Sequence, residues 1–494
     1  MNKPIASAFT SGLSAFLLFL PLCAPAQQLT LDGAVEQALK KNERISQYQE
    51  RVRQREYLNL ESWGNFLPSV NLAASYNHLN DPLVIDLDPI RQAMIQLQTG
   101  NLVELKNLGT ILAGGAPLST AQRAAVGTGA TQQLNGVLPP FTEMLKKQDY
   151  KVASLIGVQP LFLGGKLYAA KEFASTELAS AEIELKKTMN EITQETAAQY
   201  FAVVLLQDVV RTRKNVLAGM ERHRNDAQRL HVEGLIALHQ VLRAEVAVAE
   251  AERNLFDDQN KLELALIALR TTLGLEEDAD IAIVDSLVFR TVTEGLPAIA
   301  SRAASDQPLL RLIEQKKEAA SMKFAAERAE FLPQIAAFGK YEMYPEYLSA
   351  LEPRWIVGVQ LNWSLFNGLK RYARLESSVH LEREVEFIQA DARKKINMLV
   401  NKNYRDMENS ANRYKKLKAS TALAEENFKI TNGRFQSGLA TSLDVVDAEL
   451  ILEKNMIESE NSLYDYYKAM TELFTVAGSP KKIISIWNAK GENQ

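Results

Sequence analysis

Several shortages in this chain narrow its function before any motif is read. Cys23 is the single cysteine in 494 residues, and only five histidines accompany it. Without cysteine pairs there is no disulfide framework, and no cysteine-rich metal motif is possible. Basic and acidic residues nearly cancel, 56 against 60, so no basic excess points to nucleic acid. Aromatics make up 7%. No apolar run in the body reaches the ~20 residues of a membrane-spanning helix. Proline is absent between Pro160 and Pro297 and again between Pro353 and Pro480. No phosphate-binding glycine loop, GxSxG elbow or HExxH zinc motif occurs. His223, His231 and His239 stand eight residues apart, too far for an i,i+4 metal pair.

The first 26 residues differ from the rest. MNKPIASAFTSGLSAFLLFLPLCAPA carries a lysine, an apolar stretch from Ala15 to Leu22, and the small-residue triplet Ala24-Pro25-Ala26. This is the pattern of a secretory signal peptide, residues 1–26, cleaved after Ala26. Cys23 would leave with it. Leu22 is too bulky for the small residue that precedes a lipidated cysteine, which disfavours a lipoprotein. An exported protein of a Gram-negative bacterium is expected.

The body is written twice. FLPSVNLAASY (66–76) recurs as FLPQIAAFGKY (331–341), and IGVQPLFLGGKL (156–167) as VGVQLNWSLFNGLK (357–370). VEGLIALHQVLRAE (232–245) aligns with QSGLATSLDVVDAE (436–449), and LRTTLGL (269–275) with LFTVAGS (473–479). Four matches in one order predict two internal structural repeats, residues 27–274 and 275–494. Between its FLP and GVQ segments the first repeat holds about 64 residues more than the second. The excess, 81–150, is rich in Gly-Gly, Pro-Pro and polar clusters and reads as a long loop with some helix.

Two periods alternate along the chain. Leu178, Ala181, Leu185, Met189, Ile192 and Val203 recur at helical spacing. The proline-free spans predict long hairpins over 166–272 and 369–477. An uninterrupted helix from Lys166 to Glu233 would extend about 100 Å, a length typical of coiled coils; a bundle with several hidden turns is the competing reading. In 69–78 Val70, Leu72, Ala74 and Tyr76 alternate with polar neighbours, and in 354–364 Trp355, Val357, Val359, Leu361 and Trp363 do so. Period two predicts strands at about 66–79, 152–163, 331–343 and 354–366. A half-buried soluble sheet would look the same; the export signal favours an outer-membrane barrel wall. Four strands are too few to close a barrel, and an open edge is not tolerated in lipid, so several copies must share one.

The stretch GRFQSGLATSLDVVDAEL (433–450) bears most directly on function. Gly438 suits the residue after a helix end, and Thr441 followed by Asp444 has the spacing of a helix-capping box. Asp444 and Asp447 stand three apart, which leaves a catalytic pair, a metal site or simply a helix start as readings. The corresponding tip of the first repeat has Ala237 and Gln240 in place of Thr441 and Asp444. It lacks both the cap and the charge.

The order of elements resembles the TolC-like family of outer-membrane efflux proteins. LTLDGAVEQALKKN (29–42) is similar to its N-terminal signature, FLP to the opening of its strands, QPLFLGGK (159–166) to its strand-to-helix junction, and 433–450 to its periplasmic tip. The resemblance covers the mature chain except 81–150. It implies an α+β membrane protein: a homotrimer whose four strands per chain form a 12-stranded outer-membrane β-barrel. A long periplasmic α-helical barrel of coiled-coil hairpins would continue it. Mixed equatorial segments are expected at about 27–44, 275–300 and 478–494. The implied function is a passive channel-tunnel of a tripartite efflux or type I secretion system, not an enzyme, with no catalytic residue, cofactor or metal. Its partners would be a periplasmic adaptor (a membrane fusion protein), an inner-membrane pump of RND, ABC or MFS type, and outer-membrane lipid.

The resemblance also assigns site residues. Asp444 and Asp447 match the acidic pair of the family's pore constriction and would form cation-selective rings with raised carboxyl pKa values. Gly234, Leu235, Gly438 and Leu439 match the adaptor-docking tips. Ala440 departs from the family pattern, which has at this position an arginine that locks the closed state. Because the first strand leaves a periplasmic helix, the 81–150 insertion is expected at the cell surface. The competing reading is an exported coiled-coil or adhesin-like scaffold without channel activity.

Overall fold

The computed structural model describes residues 27–489 except 277 and 350. The signal peptide and Cys23 lie outside the described residues, as does the end of the last predicted segment. In chain order the elements are β1 (Gln27–Gln28), α1 (Leu31–Lys41), α2 (Glu43–Gly64), β2 (Ser69–His78), β3 (Leu83–Asp86), α3 (Asp88–Leu112), α4 (Thr120–Val137), β4 (Thr142–Lys146), β5 (Asp149–Phe162), α5 (Lys166–Val232) and α6 (Leu238–Thr272). The second half follows as β6 (Ile281–Ala282), α7 (Leu296–Asp306), α8 (Pro308–Ala329), β7 (Gln334–Glu342), β8 (Trp355–Asn362), α9 (Lys370–Gln436), α10 (Ser442–Val476) and α11 (Lys482–Asn488). Helix lengths coincide between the halves. α1 and α7 each have 11 residues, α2 and α8 have 22, α5 and α9 have 67, and α6 and α10 have 35.

The chain divides into two compact units. One comprises Tyr57–Ser175 and Ala319–Leu381. Its centre is an antiparallel sheet in the order β2-β5-β7-β8. The register sets Leu72, Leu155, Tyr341 and Trp355 in one row across all four strands. All four are exposed, and Val70, Val357, Val359 and Leu361 extend the same bare apolar face. Gly358 sits where a side chain would press on the neighbouring strand; a Cβ there would lie 3.0 Å from the Phe338 ring.

The 81–150 insertion is more regular than a loop. A β3–β4 ribbon carries α3 and α4 as an antiparallel pair of consecutive helices in mutual contact. Lys146 ties the ribbon to Glu352 at 3.0 Å. A capping box starts α4: Ser119 and Gln122 exchange hydrogen bonds at 3.3 and 2.9 Å.

The other unit comprises the chain up to Glu56, Thr176–Glu318 and the chain from Glu382. Among the described residues no helix is long and apolar enough to cross a membrane. Its best-buried core is aromatic. Phe201 lies 4.9 Å from Tyr467 and 5.0 Å from Trp487, ring centre to ring centre. The Tyr200 hydroxyl donates to Asp285 Oδ2 at 2.6 Å, and Trp487 Nε1 donates to the same oxygen at 3.1 Å. These bonds gather α5, α10, α11 and the segment after β6, while β1 pairs in parallel with β6. Buried Tyr and Trp need polar partners, and Asp285 supplies them from the irregular segment after β6.

Candidate functional site: the two hairpin tips

Both long hairpins turn by the same device. At the first, Gly234 has φ +73°, Leu235 N–H donates to Leu230 O at 2.9 Å, and Gly234 N–H donates to His231 O at 2.9 Å. At the second, Gly438 has φ +73°, Leu439 N–H donates to Arg434 O at 2.8 Å, and Gly438 N–H donates to Phe435 O at 2.9 Å. This is the Schellman arrangement, which satisfies carbonyls left over at a helix end. A Cβ at either glycine would meet nothing within 4 Å. Backbone conformation, not crowding, therefore requires glycine. The next residues project freely: Leu235 is 65% exposed and Leu439 69%. An exposed leucine fixed at a rigid turn can serve as a contact for another helical hairpin.

The returning helices start differently. Thr441 caps α10: its Oγ1 accepts from Asp444 N–H at 3.3 Å, and Asp444 Oδ2 accepts from Thr441 N–H at 2.7 Å. The Thr441 hydroxyl donates to the same carboxylate oxygen at 2.7 Å. These bonds to the Thr441 amide and hydroxyl hold the Asp444 carboxyl below its usual range, and the Arg434 charge adds to the effect. Within one chain Asp444 is thus fastened to the helix start and ionised. The rise expected of crowded carboxylates would have to come from other copies. Asp447, one turn further, is exposed, and its side chain makes no hydrogen bond or ion pair with any described residue. α6 follows Ala237, which offers no side-chain cap.

Gln240 has a role that sequence reading missed. It stands where Asp444 stands in the other half, yet its Oε1 accepts from Ser442 N–H at 3.2 Å, across 202 residues. The first hairpin therefore helps cap the helix of the second. Ser442 is itself fully buried, and its hydroxyl bonds His223 Nε2 at 2.8 Å. His223 also packs on Phe435, ring centres 4.6 Å apart. Burial pushes the His223 pKa down, so the ring is neutral at pH 7. Phe435, Leu230, Val241, Ala244 and Val445 form the apolar core shared by the two tips, with Ala440 and Ile236 against it. Ala440 thus fills space where the family pattern places an arginine, and Arg434 is the cation that bears on Asp444.

The three histidines do not converge. His223 is buried, His231 bonds Ile236 O at 2.9 Å within its own turn, and His239 is exposed. Among the described residues no three His, Cys, Asp or Glu side chains are grouped to hold a metal. The titratable groups behind the tips are structural. Glu449 is buried beside a cavity of about 110 Å³ lined by Gly219, Arg222, His223 and Asn432. Burial, aided by Glu453, pushes its carboxyl up to about 7. Arg213 bridges α5 to Asp258 of α6 at 2.8 Å and to Glu453 of α10 at 2.5 Å. Nothing in the sequence pattern marks this three-helix link.

Comparison with known proteins places this geometry. The family description "Outer membrane efflux protein" matches residues 139–275 and 299–479. Alkaline protease secretion protein AprF of Pseudomonas aeruginosa is 27% identical over 182 residues, which is 36% of this chain and 37% of AprF. The alignment thus spans little more than a third of that relative. Among solved structures, the outer membrane protein VceC of Vibrio cholerae superposes with a TM-score of 0.68 at 18% identity, covering 91% of this chain and 96% of VceC. The CmeC outer membrane channel of Campylobacter jejuni superposes with a TM-score of 0.70 at 13% identity, covering 98% and 97%. At such identities the structures speak for the fold. The family match takes in β5 and β7 to β8, both long hairpins and both tips, and the chain belongs to the outer membrane efflux protein family, whose place is the outer membrane.

Proposed function

We propose that three copies of this chain form a passive export channel, in which their four-stranded sheets join into one 12-stranded barrel. The observation that carries this reading is the sheet itself. Its apolar face is bare, and its edge strands β2 and β8 have no partner on their outer sides among the described residues. In hydrocarbon, unpaired backbone groups cost several kcal/mol each, so a bare sheet must close on copies of itself. The equal helix lengths of the two halves support an internal duplication, with each half contributing two strands and one long hairpin. The hairpins would line a periplasmic duct. Their tips, Gly234-Leu235 and Gly438-Leu439, would meet a periplasmic adaptor coupled to an inner-membrane pump of RND, ABC or MFS type. Likeness to a protease secretion protein keeps type I secretion beside efflux as the system served.

Asp444 and Asp447 are assigned to the pore. Repeated threefold, they would make two acidic rings that favour cations. Asp447 has no competing side-chain partner among the described residues, so it is the stronger ring. The test uses the full chain, extracted in detergent and reconstituted in planar bilayers. A trimer with cation-preferring conductance is expected, and the preference should fall in an Asp444→Ala/Asp447→Ala double variant. Recovery as a soluble periplasmic monomer would favour the scaffold reading and sink the channel. Unchanged selectivity in the double variant would sink the gate alone.

A further inference from the structure

The α3–α4 insertion is built inside out. The face of α3 turned to α4 carries Asp88, Arg91, Thr99 and Asn107 beside Ile95 and Val103. It is held by polar bonds: Arg91 pairs with Asp88 and donates to Asn135 Oδ1 and Leu138 O at 2.8 Å each. Thr99 meets Thr131 at 3.2 Å, and Asn107 Oδ1 accepts from Leu118 N–H at 2.9 Å. The opposite face is apolar and bare. Ile90, Met94, Leu97, Leu105, Leu108 and Leu112 are all between 53% and 80% exposed.

The spacing along that face is regular. With Asn101 included the steps are 4-3-4 and again 4-3-4, two 11-residue repeats. Such a repeat keeps one straight seam along a helix and suits a nearly straight or right-handed bundle. The seam runs about 33 Å at ~1.5 Å per residue. A contiguous bare stripe of this kind marks an interaction surface.

We propose that this stripe is a homotypic seam: the α3 helices of neighbouring copies pack on one another over the outer mouth of the barrel, with Asn101 setting their register. This rests on the trimeric channel proposed above. Continuity with the inter-copy edge argues for a second copy as the occupant. Only residues 79–82 separate β2, an edge strand that must pair with another copy, from the ribbon that carries α3. A membrane surface fits less well. Helices that lie on anionic lipid are rich in Lys and Arg, whereas α3 has only Arg91 and Lys106, and Arg91 is used internally. A single Asn in an apolar seam is a known way to fix register between like helices.

The test is cysteine crosslinking of the full-length protein in its outer membrane, in a Cys23→Ser background. Leu97→Cys and Leu105→Cys are each oxidised, with Gln132→Cys on the exposed side of α4 as control. The expected product is a covalent dimer from either seam variant, the third chain remaining single, and none from the control. Trimers that an amine-reactive crosslinker captures but that give no disulfide at either seam position would overturn the seam and leave the channel standing. So would seam thiols shielded by lipid yet never joined, or equal crosslinking of the control. A protein that no crosslinker captures as a trimer would overturn both readings.

Discussion

The two hairpin tips share one backbone turn and differ in almost everything attached to it. Gly234 and Gly438 have the same φ and the same pair of hydrogen bonds. Behind the second turn, Phe435 is fully buried and α10 is capped by Thr441 and Asp444. Behind the first, a half-buried His231 bonds its own turn and α6 starts uncapped. The first tip even lends Gln240 to the second. Duplicated hairpins can therefore keep a turn, which depends on one glycine, while their anchoring diverges, because each helix start is stabilised by its own few bonds. The second tip is the better anchored and carries the charge; the first is the freer.

The comparison can be broken from the outside first. Leu235→Asp and Leu439→Asp each place a charge on an exposed tip without touching the core. Loss of crosslinking to the periplasmic adaptor is expected for both together, with trimers still assembled; retained crosslinking would remove the tips from docking. Next comes the core. Phe435→Ala should cost about 3–5 kcal/mol, the usual loss for a buried aromatic, whereas His231→Ala should cost about 1 kcal/mol for one turn-closing hydrogen bond. Local hydrogen exchange at the two tips measures both, and equal losses would contradict the asymmetry. The smallest effect concerns the caps. Thr441→Ala should lose about 1 kcal/mol of local stability, and Ala237→Thr should gain a comparable or smaller amount at the first tip. No gain at Ala237 would mean that α6 is held by packing alone.

Much of the architecture could be read in the amino-acid order. Alternation in Val70, Leu72 and Tyr76 or in Trp355, Val357 and Val359 is local, and these residues form β2 and β8. The Gly-Leu pairs announce their turns because positive φ selects glycine within a few residues of a helix end. Thr441 and Asp444 likewise showed their cap through spacing. The insertion was harder. Gly100, Gly109, Gly127, Gly129 and Gly136 argue against helix at about 1 kcal/mol each, and the polar clusters suggest loop. The helices form nonetheless, because α3 and α4 settle each other through Arg91, Thr99 and Asn107 and because Ser119 and Gln122 cap the second. Glu449 escaped notice for a related reason. Its burial depends on helices more than 200 residues apart, and it reads in the chain as one glutamate among many.

By itself the sequence determined what is set by neighbours along the chain: the periods of strand and helix, the turns at Gly234 and Gly438, the cap at Thr441, and the order of elements that marks the family. Tertiary structure decided what depends on residues far apart in the chain. It turned Gln240 and His223 toward Ser442, linked α5, α6 and α10 through Arg213, and buried Glu449. The physical reason is range. A helix start or a pleat is settled by bonds three or four residues long, but burial and cross-hairpin bonding exist only once the distant segments have met.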